Sequence, residues 1–196
     1  TLIYEKTGIF LPPVKISLVS GRLGKRLREL GLETYRQYYQ RVVDDDTGGE
    51  LTRMLDAITT NETQFFRESR HFDFLREQVY PRWRNEAENG VRQRKVRLWS
   101  AACSSGEEPY SIAMSLASEL CRDDDWDIRI LASDISSKVL DGTRRATWPI
   151  KRADEIPQSL LKRYMLKGTG SKEGTMRAGP ELRKLVDTQY INLNDS

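Results

Sequence analysis

The chain has 196 residues, with 32 lysines and arginines against 29 aspartates and glutamates, a net charge of +3 and 38% hydrophobic residues. No apolar run is long enough to cross a bilayer, and two cysteines, Cys103 and Cys121, are too few for a disulfide framework. A single histidine, His71, with no paired Cys or His spacing, provides no metal site, and the cysteine usage points to reduced thiols in the cytoplasm.

Basic charge concentrates in residues 22–41, where Arg22, Lys25, Arg26, Arg28, Arg36 and Arg41 stand against Glu29 and Glu33. On a helix, Arg22, Lys25 and Arg26 share one face, while Leu23, Leu27 and Leu30 form a separate stripe fit for burial. Such a face is either solvated or a docking surface for an acidic partner, nucleic acid or protein. Tyr35, Tyr38 and Tyr39 come next at helical spacing and are expected to pack. The run Asp44-Asp45-Asp46-Thr47-Gly48-Gly49 reads as a turn before a further helix marked by Leu51, Met54, Leu55 and Ile58. Residues 1–58 thus read as a small helical domain, too short to hold a large core of its own and resting on the downstream part of the chain.

The connecting stretch, residues 59–90, opens with Thr59-Thr60-Asn61-Glu62-Thr63-Gln64-Phe65-Phe66-Arg67, a chemically unusual sequence for a linker. Thr60 or Asn61 is placed to cap a helix running on through Phe74 and Leu75. From about residue 91 the pattern changes to strand–helix–strand. Val96, Leu98 and Trp99 read as a buried strand, Ser100 to Gly106 as a tight loop of small residues, and Glu107-Glu108-Pro109 as the start of a helix reaching Leu120. Proline suits that first turn because the N–H it lacks would be unpaired there. Residues 127–134 form a second short strand ending in Asp134.

Small residues between a strand and a helix mark the cofactor site of doubly wound α/β folds. A pyrophosphate cradle needs several glycines and no negative charge at the helix start. Here there is one glycine, Gly106, followed by two carboxylates, which would repel a diphosphate and suit an ammonium or sulfonium centre. An acid at the tip of the second strand, Asp134, fits ribose hydroxyls. A cationic, ribose-bearing ligand without phosphates describes S-adenosylmethionine. Either glutamate taken alone also has a simpler use, complementing the helix dipole. Further on, Tyr164-Met165-Leu166 and Gly174-Thr175-Met176-Arg177 flank a turn-rich stretch and predict a hairpin, with Leu185–Ile191 as additional strand. Its use is either purely structural or that of a binding surface.

Thr59–Arg67 and Trp99–Tyr110 together resemble the two signatures of the CheR-type chemotaxis receptor methyltransferases, which methylate glutamate side chains of bacterial chemoreceptors from S-adenosylmethionine. The likeness continues through Ala132-Ser133-Asp134-Ile135, Gly168-Thr169-Gly170 with Glu181-Leu182, and Asn192-Leu193, and reaches back to Arg22–Leu32, so it covers nearly the whole chain. It implies an α/β fold: a Rossmann-like S-adenosylmethionine-dependent methyltransferase domain at 91–196, C-terminally incomplete, with a small all-α N-terminal domain at 1–58. It also implies a linker and connecting helix at 59–90 carrying a cofactor-closing motif, and an inserted antiparallel β-subdomain at 163–190. A piece ending at Ser196 is expected to be inactive alone.

The resemblance further implies that Asn61, Thr63 and Arg67 approach the cofactor from the linker. Glu108, rather than Glu107, would meet its methionine end, Asp134 its ribose, and Asn192 with Leu193 its adenine side. Arg67 is expected nearest to catalysis, either orienting the substrate carboxylate or completing the cofactor pocket. Expected partners are the acidic helical bundles of chemoreceptor cytoplasmic domains, docked through Arg22, Lys25 and Arg26, and in some members a receptor C-terminal peptide. The product would be S-adenosylhomocysteine. The chain is expected to be monomeric, with no nucleic-acid partner and no membrane insertion. The alternatives are a non-catalytic signalling module that binds S-adenosylmethionine or S-adenosylhomocysteine, and a nucleic-acid methyltransferase using the basic run.

Overall fold

A computed structural model describes residues 2–59, 61–121 and 126–195; Thr60, one of the two expected helix caps, lies outside the described residues. The chain divides into two compact units, Thr1–Thr60 with Ile135–Lys138 and Tyr190–Ser196, and Asn61–Asp134 with Val139–Gln189.

The first unit is built from α1 (Leu2–Thr7), α2 (Ile16–Glu29), α3 (Tyr35–Val43) and α4 (Gly49–Ile58). Thr34 starts α3 with a capping box, its hydroxyl accepting from the Gln37 N–H while the Gln37 side chain accepts from the Thr34 N–H. Asp45 folds the turn before α4 by accepting the N–H groups of Thr47 and Glu50, and Gly48 enters the helix at φ +68°. Leu23 and Leu27 of α2 meet Tyr38 and Val42 of α3 and Met54, Leu55 and Ile58 of α4 in one core, against which Leu30 and Ile135 pack. Of the three tyrosines expected to pack, Tyr38 is buried, while the Tyr35 hydroxyl donates to the Ser20 carbonyl of α2 at 2.8 Å from a half-exposed ring. The buried stripe of this short helix is confined to Tyr38 and Val42 at i, i+4, and Tyr35 and Tyr39 stay about half exposed (47% and 53%). Residues 190–196 belong to the same unit, where the Asn192 side-chain amide donates to the Lys6 carbonyl at 2.7 Å.

The second unit begins with an irregular segment, Asn61–Glu68, then a helical run made of α5 (Ser69–Phe74), a π-helical turn (Leu75–Val79) and α6 (Tyr80–Glu88). The helix therefore starts at Ser69 and not at an Asn61 cap. Phe66 and Glu68 adopt left-handed φ of +51° and +55°, and the N–H groups of Phe65 and Phe66 go to the Glu155 carboxylate and the Ser111 hydroxyl instead of to helical carbonyls.

Next come β1 (Lys95–Ala101), α7 (Glu107–Leu120) and β2 (Asp127–Asp134), with β1 and β2 parallel in a register running from Lys95 opposite Asp127 to Ala101 opposite Ser133. A parallel pair requires a crossover, and α7 supplies it. Its Ala113, Met114, Leu116, Ala117 and Leu120 are buried beside Val96, Ile128 and Ile130 of the two strands. Trp99 departs from the expected buried strand. Val96 and Ser100 are buried and Leu98 half-buried on one side of β1, so the alternation puts Trp99 on the other side, 54% exposed.

The chain continues through α8 (Ser137–Arg145), β3 (Thr147–Pro149), a 3-10 turn (Ile150–Glu155), α9 (Gln158–Tyr164), β4 (Met165–Lys167), β5 (Thr175–Ala178), α10 (Pro180–Arg183) and β6 (Val186–Tyr190). β4 and β5 form the antiparallel hairpin, with Leu166 opposite Arg177, and β3 widens it to the order β3-β5-β4. The antiparallel sheet does not coincide with residues 163–190. It takes β3 from upstream and loses the last strand, because β6 lies beside β2 in the order β1-β2-β6. Buried Leu185 and Val186 belong to the core under that sheet, and the Leu185 carbonyl accepts the Ile130 N–H at 2.8 Å. No helix among the described residues is long and apolar enough to cross a membrane.

Candidate functional site

The loop between β1 and α7 turns through Ala102, Ser104 and Gly106, all left-handed, with φ of +56°, +51° and +96°. A non-glycine residue in that region costs about 1–3 kcal/mol and persists only where its surroundings impose it. Three bonds impose it here: Cys103 N–H to the Ser133 carbonyl (2.8 Å), Ser104 N–H to Asp134 Oδ2 (2.9 Å), and the Thr143 hydroxyl to the Ser104 carbonyl (2.9 Å). At Gly106 a Cβ would lie 3.0 Å from both Cγ2 and Oγ1 of Thr143 and 3.2 Å from its Cα. Gly106→Ala is therefore expected to destabilise the second unit by about 2–4 kcal/mol, read as a lowered unfolding midpoint in urea; an unchanged midpoint would contradict this packing.

The two glutamates at the start of α7 part company. Glu107 is buried, 3.0 Å from the Arg152 guanidinium, and accepts the Ser105 hydroxyl at 2.6 Å, so its charge is used inside the fold. Glu108 is exposed and, among the described residues, accepts only the Ser100 hydroxyl, at 2.6 Å, which leaves it the better placed of the pair to meet a cation. Asp134 closes β2 with its carboxylate buried beside the loop. Burial, with the charge of Asp134 adding to it, pushes the Cys103 thiol up to about 12 and keeps it protonated at neutral pH, so it is no nucleophile. Residues 100–108 contain no lysine or arginine. Carboxylates, hydroxyls and backbone amides around a close-packed glycine fit a sulfonium nucleoside and reject a diphosphate.

The segment Asn61–Arg67 lies along this loop. The Ser104 hydroxyl donates to the Asn61 carbonyl (3.1 Å), and Arg152 Nη2 donates to the Thr63 carbonyl (2.6 Å). Phe65 is buried edge-on against Trp148, ring centroids 5.0 Å apart, and the Trp148 indole N–H donates to the Ser105 carbonyl. The Asn61 carbonyl, Glu108 and Asp134 thus bond Ser100 or Ser104 directly, and the Thr63 carbonyl reaches Glu107 through Arg152. Arg67 stands exposed on a cleft of about 740 Å³ shared with Phe66, Arg70 and Glu155. Asn192 and Leu193 belong to the first unit, where Asn192 bonds Lys6 and Asp195 and Leu193 is 60% exposed.

On the basic face of α2 the three residues do different things. Arg26 makes a two-pronged ion pair with buried Glu50 (2.9 and 2.8 Å), and Arg22 donates to the carbonyls of Ile58 and Thr59 at the end of α4. Lys25 is 80% exposed. Sequence reasoning passed over Arg152, Glu155 and Ser104, which hold the segment and loop together. It also passed over Ser133, whose hydroxyl accepts the indole N–H of exposed Trp99. The serine-rich loop carries a weak signal for Ser104; Ser133 lies in β2, and nothing local marks it, Arg152 or Glu155.

Comparison with known proteins bears on the same regions. Residues 1–59 match the family model described as CheR methyltransferase, all-alpha domain, and residues 61–196 match CheR methyltransferase, SAM binding domain. The chain is 42% identical over 191 residues to chemotaxis protein methyltransferase 2 of Pseudomonas aeruginosa, covering 97% of this chain and 65% of that protein. It is 37% identical over 193 residues to the chemotaxis protein methyltransferase of Escherichia coli, covering 98% and 63%, and 35% identical to a probable chemotaxis protein methyltransferase of Rhizobium etli, covering 98% and 70%. The chain thus spans about two thirds of the length of these curated relatives. With one family model matching residues 1–59 and the other residues 61–196, the chain belongs to the CheR methyltransferase family.

Proposed function

We propose that the whole protein transfers a methyl group from S-adenosylmethionine to glutamate side chains of chemoreceptors, forming methyl esters and S-adenosylhomocysteine. The observation that carries this reading is the charge of the β1–α7 loop. Glu108 and Asp134 border a lysine- and arginine-free loop closed on Gly106, the chemistry of a sulfonium and a ribose. Asn61 and Thr63 would border the same ligand from the linker.

S-adenosylmethionine supplies an electrophilic methyl group on a positively charged sulfur. The acceptor glutamate is ionised near neutral pH and needs no general base, so a protonated Cys103 and an exposed His71 are no obstacle. The residues of the chain act by alignment and by excluding water, which strengthens the attraction between carboxylate and sulfonium. Arg67 would orient the acceptor carboxylate or complete the cofactor pocket, without neutralising the nucleophile fully. In the first unit, exposed Lys25, with Arg53 and Lys138 around the same groove and Arg22 and Arg26 as its walls, would face an acidic receptor bundle. β4, at the edge of the antiparallel sheet, would accept a receptor tail peptide as an added strand.

The test is incubation of the full-length protein with methyl-labelled S-adenosylmethionine and purified receptor cytoplasmic domains. Base-labile label on the receptor is the expected result. Tight cofactor binding with no ester would instead establish a signalling module, and label on nucleic acid would overturn the substrate. In the same assay Arg67→Ala is expected to lower transfer by about 10- to 100-fold, and full transfer would remove Arg67 from the site.

A further inference from the structure

Four main-chain groups of the Asn61–Phe66 segment are held by side chains or hydroxyls from elsewhere in the second unit. Two of the four anchors, Arg152 and Glu155, belong to one ion-pair cluster. Arg152, on the 3-10 turn after β3, places Nη2 2.6 Å from the Thr63 carbonyl and 3.0 Å from Glu107 Oε1, with Nε 3.1 Å from Glu155 Oε1. Glu155 accepts the Phe65 N–H at 2.9 Å through its other oxygen. The guanidinium thus reaches the linker directly at residue 63, reaches residue 65 through Glu155, and reaches the first residue of α7 through buried Glu107. Arg152 and Glu155 are about three-quarters buried (25% and 27% exposed), so the two ion pairs and the hydrogen bonds to Thr63 and Phe65 form in a poorly screened setting. The other two anchors, Ser104 on Asn61 and Ser111 on Phe66, are neutral hydroxyls, each worth less.

We propose that Arg152 is a positioning residue for cofactor binding: through the Thr63 carbonyl, Glu155 and Glu107 it sets the distance between the Asn61–Arg67 segment and the loop that opens α7. This rests on the methyl-donor reading above. It explains why a segment with left-handed residues at Phe66 and Glu68 lies fixed along the loop without regular secondary structure. It also explains the division of labour between the two glutamates. Glu107 is the inner end of the clamp, and Glu108 is left for the ligand.

The test uses full-length Arg152→Gln and Arg152→Lys, read by amide hydrogen exchange of residues 63–66, by S-adenosylhomocysteine affinity in calorimetry, and by thermal midpoint. Arg152→Gln is expected to speed exchange at Phe65 and Phe66 and weaken affinity by about tenfold each, with exchange in β1 and β2 unchanged. A lysine keeps the charge beside Glu107, but its single ammonium cannot meet the Thr63 carbonyl, Glu107 and Glu155 at once as the wider guanidinium does. Arg152→Lys should therefore regain the thermal midpoint and not the affinity. If Arg152→Gln does not fold, Glu155→Gln replaces the charged acceptor of Phe65 and carries the same readouts. Unchanged exchange and affinity in the glutamine variants overturn the proposal, as does full recovery of affinity in Arg152→Lys, which would reduce Arg152 to a counter-charge. A parent protein that fails to bind S-adenosylhomocysteine overturns the methyl-donor reading instead, and the exchange data still decide whether Arg152 holds the segment.

Discussion

Glu50→Ala is expected to destabilise the helical unit by about 3–5 kcal/mol, the cost of removing one partner from a buried ion pair. Glu50 is 3% exposed in α4 and joins three helices. Its carboxylate takes Nε and Nη2 of Arg26 on α2, at 2.9 and 2.8 Å, and the Tyr38 hydroxyl of α3 at 3.1 Å, with Arg53 3.4 Å away. Without it Arg26 keeps Glu29 at the surface as its one carboxylate among the described residues, and the Tyr38 hydroxyl loses its carboxylate acceptor in the core. Helical circular dichroism during urea unfolding reads the loss; a difference under about 1 kcal/mol would show that the pair barely outweighs its desolvation.

The same carboxylate gives the sign of a pH effect. Hydrogen bonds from Arg26, and secondarily from Tyr38, hold the Glu50 carboxyl below its ordinary range despite the opposing effect of burial. A depressed folded-state value stabilises the folded chain at pH above the unfolded value of about 4.3, and that stability is lost as pH falls through the folded value. The gap between parent and Glu50→Ala should therefore be widest near neutrality and close in acid below about pH 4. A gap constant down to pH 3 would assign the loss to packing alone.

Arg26 also shows where sequence reading stops. Its spacing with Arg22 and Lys25 was legible and does place all three on α2, but its partner lies 24 residues downstream, and only the fold reveals that its charge is already used. The strand–loop–helix–strand frame around residues 98–134 was readable because it is local. Small residues, one glycine, an N-terminal proline and an acid at a strand tip each act within a few neighbours. The left-handed turns at Ala102 and Ser104 were not, since neither residue type announces such a conformation and distant bonds from Ser133, Asp134 and Thr143 impose it. β3 spans three residues, too few for an alternation to register. The sequence of β6 marks it as a strand without naming its neighbour, so its place beside β2 came only with the fold. Arg152 and Glu155 are 89 and 90 residues from the groups they hold, which no spacing rule connects.

Asp134→Ala is expected to weaken S-adenosylmethionine binding by roughly 10²–10⁴-fold, the loss of two hydrogen bonds to a charged acceptor at about 1.5–3 kcal/mol each. The side chain stands at the end of β2, the position that meets ribose hydroxyls in doubly wound folds, and it also accepts the Ser104 N–H at 2.9 Å. Alanine removes both functions, so Asp134→Asn separates them. An asparagine carbonyl can still accept from Ser104 and keep the loop folded, while its amide offers a donor where two hydroxyls need an acceptor. If Asp134 acts on the ribose, the asparagine variant keeps the parent unfolding midpoint and loses most of the affinity, by calorimetry with S-adenosylhomocysteine. If it only braces the loop, asparagine restores affinity along with stability, and the ribose assignment fails. Because Ser104 also donates its hydroxyl to the Asn61 carbonyl, the alanine variant should additionally speed amide exchange in the Asn61–Phe66 segment, whereas the asparagine variant should not. The combination separates a loop that has lost its shape from a loop of the right shape lacking one acceptor.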